Sequence, residues 1–147
     1  GYGEGVADVK DANIAIIAVN APYAVHQGGA SFFRGAHEGT LAYAGAENAS
    51  ELKAIERLVA SNKPVIVAMY LDRPAILSEF IDDVGGVLVH FGSSESAILD
   101  IVFGRVPPTG KLPLDLPRDM ASVESQKEDL AFDTANPLFK FGFGFTY

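Results

Sequence analysis

The chain contains no cysteine. That rules out disulfides, thiolate metal sites and cysteine nucleophiles, and it leaves the redox compartment unmarked. Positive charge is also scarce. Eleven Lys and Arg stand against 19 Asp and Glu, for a formal net charge of -8. A nucleic-acid binder needs clustered cations, so no nucleic-acid partner is expected. An acidic surface suits a neutral or cationic ligand, and solubility alone accounts for it. The longest unbroken apolar run, Pro64 to Leu71, is far short of a membrane span. No basic amphipathic stretch points to a membrane surface either.

Several chemical signatures are missing as well. There is neither a G-x-x-x-x-G-K-[ST] loop nor a G-x-G-x-x-G after a strand, so nucleotide cradles lack support. No G-x-S-x-G nucleophile elbow is present. The three histidines, His26, His37 and His90, are not spaced as zinc ligands. Neither a metal nor a cofactor is expected. The opening residues carry no signal-peptide pattern.

What is present is a globular composition, 48% hydrophobic and 20% charged over 147 residues. That length allows one domain with a real core. Three runs are continuously apolar: Ile14 to Val19, Pro64 to Tyr70 and Gly86 to Val89. Runs without alternation suit strands of a parallel sheet covered on both faces. Each fully buried Val or Ile contributes about 1.5–3 kcal/mol, so such runs can anchor a layer.

Helical patterns lie between the runs. Asn48 or Ser50 is placed to cap a helix to about Ser61, with Leu52, Ile55, Leu58 and Val59 on one face. Asn62 and Pro64 stop it. Pro74 can open a second helix with Leu77, Phe80 and Ile81 facing inward. Ser93 or Ser94 can cap a third, which carries Ala97, Ile98, Ile101 and Val102 and ends at Gly104. Alternating strands and helices predict an α/β fold with a mostly parallel sheet, a three-layer α/β/α sandwich. Three strands and a short candidate at Leu112 to Leu116 make a thin sheet, since about 4–6 strands are usual. The domain therefore reads as incomplete, with its remaining strands on another part of the protein.

Two segments break the alternation. Asn20 to Gly45 is long and Gly-rich, and long loops in compact domains are usually functional. The tail from Gly104 onward is stiffened by Pro107, Pro108, Pro113, Pro117 and Pro137. Pro113, Pro117, Phe139, Phe141 and Phe143 are expected to pack as a wrap over the sheet or against a neighbouring domain. In open parallel sheets, ligands bind beyond the carboxyl ends of the strands. The first such end leads into the loop bearing His26, Gln27, Arg34, His37 and Glu38. The next carries Asp72 and Arg73, and the third His90. For the last three, a structural role is the favoured reading: an ion pair at a helix start, and a histidine whose ring is satisfied in the core.

The tail also carries a resemblance. Phe103-Gly104-Arg105-Val106-Pro107-Pro108-Thr109-Gly110-Lys111-Leu112-Pro113 resembles the LFG-x-x-x-P-x-GKLP signature of glycoside hydrolase family 3. Residues Pro137 to Tyr147, PLFKFGFGFTY, resemble that family's closing PFGYGLSY segment. Asn62 to Val67 is similar to its NKPVVVV strand. Arg73-Pro74 is similar to its GRP turn, with Asp72 where Gly is usual. The order is right, and nearly the whole chain is covered.

The resemblance implies that residues 1–147 are the C-terminal α/β sandwich domain of an enzyme whose barrel domain is not in this chain. The implied activity is retaining hydrolysis of terminal β-linked sugars, most simply by a β-glucosidase. The nucleophile would lie on the barrel, and a loop of the sandwich would supply the acid/base. This chain alone would then be inactive. The implied partners are a β-linked glucoside or oligosaccharide and the barrel itself. A secreted or periplasmic setting is compatible with the family.

Some members carry the acid/base as the Glu of PYAE. Here the loop reads Pro22-Tyr23-Ala24-Val25, and Val25 cannot transfer a proton. Others use an EGxDR segment. Glu38-Gly39 is the similar pair here, followed by Thr40-Leu41. Glu38 is the leading candidate and His37 the second, since imidazole moves protons near neutral pH. A carboxylate elsewhere, or none, stays open. His26, Gln27 and Arg34 are candidates for substrate binding. The alternatives are β-xylosidase specificity and a non-catalytic carbohydrate-binding or scaffold domain.

Overall fold

The computed structural model describes residues 12–25, 37–127 and 129–146. The apolar runs form the strands β1 (Ala15–Asn20), β4 (Val65–Tyr70) and β5 (Gly86–His90) of one parallel sheet, in the order β1-β4-β5. Ala15 lies opposite Val65 and Asn20 opposite Tyr70; Tyr70 in turn faces His90. Between β1 and β4 come the two-residue strands β2 (Ala24–Val25) and β3 (His37–Glu38), paired antiparallel, and helix α1 (Ser50–Val59). After β5 come α2 (Glu95–Val102) and the short α3 (Met120–Glu124). Sheet and helices make an α/β sandwich, and they are only part of a domain.

Side chains alternate across a strand, so every second residue shares a face. Ala15, Val19, Val65, Val67 and Met69 lie on one face and enter the core with Ile55 of α1. Leu77, Phe80, Leu112 and Leu116 belong to the same core, joined at its edge by Leu52, Leu58 and Val59.

Helix α2 forms as its sequence specifies. The Ser94 hydroxyl accepts from the Ala97 amide and caps the N-terminus. At the C-terminus Gly104 is left-handed (φ 68°). Its amide bonds Ile101 O at 3.0 Å, and the Arg105 amide bonds Asp100 O at 2.8 Å. That double bond pattern satisfies carbonyls which the helix leaves open, and glycine adopts its geometry without a Cβ clash.

Two expectations are corrected. Helix α1 has Ala49 at its N-cap position and no side-chain cap. Asn48 is instead buried, accepting from the Tyr23 amide (3.1 Å) and donating to Ala21 O (3.2 Å). The segment after Pro74 does not form a full helix, only a 3-10 turn at Leu77–Glu79. Its backbone is needed elsewhere: Ile76 is extended, and its amide bonds Leu41 O at 2.9 Å. The tail packs on this chain's own core in part. Residues 112–116 pair with 139–143 through bonds such as Leu112 N to Phe143 O and Leu116 N to Phe139 O, both 2.8 Å. Leu116 is buried and Phe139 packs on the core edge, but Phe141 and Phe143 are exposed on this chain.

Candidate functional site

The carboxyl ends of the sheet strands lie side by side. The Ala21 amide reaches Tyr70 O and the Leu71 amide reaches His90 O, both at 2.9 Å. The chain leaving β1 is pinned at once. The Asn20 amide and side-chain amide both donate to the Glu51 carboxylate, at 2.7 and 3.2 Å. The Glu47 amide donates to Tyr23 O at 2.8 Å. Helix α1 thus fixes the outgoing stem of the loop through its first turn and the residues just before it.

The returning stem is fixed by the segment after β4. Glu38 lies opposite Ala24 in the β2–β3 pair. Gly39 follows with φ +80°, and a Cβ there would stand 3.1 Å from the Ala24 Cβ. Both the left-handed backbone and the close approach call for glycine. The Arg73 guanidinium donates to Glu38 O through one nitrogen and to Gly39 O through the other, the latter at 2.8 Å. Further on, the Glu79 carboxylate accepts from the Tyr43 amide (2.7 Å) and the Ala44 amide (3.2 Å). Tyr43 is fully buried, and its hydroxyl donates to Asn20 O at 2.6 Å, joining the two stems. Burial, then the negative charges of Glu51 and Glu79, push the phenol well above its ordinary range. It therefore stays a protonated donor.

Of the expected site residues, Glu38 is exposed at this turn and His37 is its neighbour in β3. His26, Gln27 and Arg34 lie outside the described residues. His90 is half-buried; its Nδ1 accepts from the Gly92 amide at 3.4 Å, and its ring stands 5.8 Å from that of Tyr70. Burial lowers its pKa. It reads as a satisfied histidine. The ion-pair reading of Arg73 misses the use of its fork, and no local signal in the sequence could have supplied it. Two open grooves of about 510 and 540 Å³ lie against the tail and share Asp115, Phe132 and Thr134; the first also reaches Pro74, next to Arg73. Among the described residues no group of three His, Cys, Asp or Glu could hold a metal, and no helix is long and apolar enough to cross a membrane.

Residues 2–147 match the model of the glycosyl hydrolase family 3 C-terminal domain. The chain belongs to that family. It is 43% identical over 142 residues to beta-glucosidase C of Emericella nidulans, covering 97% of this chain and 22% of that protein. It is 37% identical over 137 residues to the periplasmic beta-glucosidase/beta-xylosidase of Dickeya chrysanthemi, covering 92% of this chain and 20% of the relative. The crystal structure of beta-glucosidase from Listeria innocua in complex with isofagomine shares the fold, with a TM-score of 0.64 at 16% identity. That match covers 95% of this chain and 21% of the other. The chain spans about a fifth of the length of the curated relatives it matches.

Family membership bears on the loop chemistry. The position of the PYAE glutamate is held by Val25, at the end of β2. Its cross-strand partner is His37, next to Glu38.

Proposed function

We propose that residues 1–147 are the C-terminal sandwich domain of a retaining, exo-acting β-glucosidase, and that they supply the general acid/base on the loop after β1. Glu38 is the proposed group. The observation that carries this reading is the Glu38–Gly39 turn, held at the carboxyl end of the sheet by β2 and by Arg73.

In a retaining mechanism two carboxyl groups stand about 5–5.5 Å apart across the scissile bond. The barrel carboxylate bonds the anomeric carbon as the bond to the leaving oxygen breaks, and Glu38 gives that oxygen its proton. Water then attacks the anomeric carbon and passes a proton back to Glu38, and the ester to the barrel carboxylate breaks. This chain holds one of the two groups, so it hydrolyses nothing alone. The Dickeya relative's name makes β-xylosidase activity the second reading for the sugar.

The test is Glu38→Ala in the full enzyme. Substrates with very good leaving groups, which need no proton, keep their first step. Ordinary glucosides slow by about 10²–10⁴-fold. Added azide restores turnover and yields a β-glycosyl azide, because azide needs no general base. Rescue in His37→Ala and not in Glu38→Ala transfers the role to His37. Rescue in neither places the acid/base outside this loop. Turnover of an aryl β-glucoside by the isolated chain overturns the two-domain reading.

A further inference from the structure

We infer that Arg73 is a positioning residue for the acid/base, setting the direction of Glu38 by gripping the carbonyl oxygens of Glu38 and Gly39, in the two peptides that follow its Cα; the inference rests on the assignment of Glu38 above.

The segment after β4 meets the returning loop along a seam. Glu79 takes the amides of Tyr43 and Ala44, the Ile76 amide takes Leu41 O, and Arg73 takes the carbonyls of Glu38 and Gly39. The first two contacts hold the loop several residues beyond the carboxylate. Arg73 is the member of the seam that reaches Glu38 itself, from 35 positions along the chain.

The grip has a specific geometry. A guanidinium is planar and presents donors in a fixed fork, so two bonds to successive carbonyls fix the relative orientation of the two peptides that flank Gly39. Gly39 is left-handed and, carrying no side chain, would otherwise leave those peptides free to rotate. Rotation there swings the Glu38 side chain relative to whatever faces it. Arg73 itself is half-buried at the carboxyl end of β4, and Pro74 behind it disfavours helical backbone at Arg73. A lysine offers one point charge and cannot fix a plane. Misplacing a reacting group by about 1 Å can cost about 10²-fold in rate.

The experiment uses the full enzyme with Arg73→Ala, Arg73→Lys and, in parallel, Glu38→Ala. Each is assayed on an ordinary glucoside and on one with a very good leaving group. For Arg73→Ala, kcat on the ordinary glucoside is expected to fall about 10–100-fold. The activated substrate should change by less than about 3-fold, because its first step needs no proton. Arg73→Lys should not recover the loss, and added guanidinium should recover part of it in Arg73→Ala. Amide exchange across residues 37–40 should rise in the same variant. Equal losses on both substrates, or no rise in exchange, overturn the inference and leave Arg73 a stability role. A normal Glu38→Ala response, with azide rescue, beside an indifferent Arg73→Ala overturns the inference alone. A Glu38→Ala enzyme without that response overturns the assignment of Glu38, and the role given to Arg73 falls with it.

Discussion

The two faces of the parallel sheet both carry apolar residues and are unequally covered. On one face Val65, Val67 and Met69 are almost wholly buried against Ile55, Leu77 and Phe80. On the other, Ala68 is buried, but Ala18 and Tyr70 are exposed, and Ile16, Ile66, Leu88 and His90 are half-buried. None of these seven belongs to the central core. A strand that is apolar on both sides is suited to cover on both sides. The described part of the chain completes one of them, which fits a partial domain spanning about a fifth of its relatives' length.

The sharpest way to break this comparison is to truncate one side chain on each side. Ile55→Ala should cost about 2–5 kcal/mol in chemical unfolding of the chain, because Ile55 is fully enclosed. Leu88→Ala should cost clearly less in the same measurement and rise toward the Ile55 range in the full enzyme. Equal costs in the chain alone would show that the second face is already sealed.

A smaller effect comes from the polar group sealed on the core side. Tyr43→Phe removes the donor to Asn20 O and should cost about 1 kcal/mol. The sign of its pH dependence follows from the raised pKa. The folded chain keeps the phenol proton when the unfolded chain loses it, near pH 10. The contribution is complete below that pH and is lost as pH rises above it. Ultraviolet titration should show Tyr43 failing to ionise in the ordinary tyrosine range while the chain stays folded. A normal titration would place water at Tyr43.

The smallest expected effect belongs to His90 on the less covered face. Burial lowers its pKa, so the unfolded chain takes up the proton first, near pH 6.5. The contribution is present above that pH and is lost as pH falls through the folded value. Unfolding from pH 8 to pH 5 should show a shallow slope that His90→Gln flattens. In the full enzyme a further layer over this face should steepen it, and an unchanged slope would argue that the face stays open.

Much of the fold was legible because its signals are local. Apolar runs marked β1, β4 and β5 nearly to the residue, since a strand buried on both sides must be apolar throughout. A cap at Ser93 or Ser94, and Gly104, marked the two ends of α2, because caps act on the nearest turn of backbone; Ser94 is the cap. The family motifs of the tail were equally readable.

The candidate site was legible only as a loop. Its position followed from the strand that feeds it and Glu38 from its pairing with Gly39, but the bonds that shape the turn come from far along the chain. Sequence by itself determined where β1, β4 and β5 run, how the two ends of α2 are capped and which family the chain resembles. Tertiary structure decided that Asn48 is an internal strut and no cap, that Ile76 bonds Leu41 and leaves no helix after Pro74, and that the Arg73 fork turns to Glu38 and Gly39. The physical reason is common to all three. A backbone amide or carbonyl taken out of water needs a partner, and which side chain or strand can reach it is known only once the distant segments have packed.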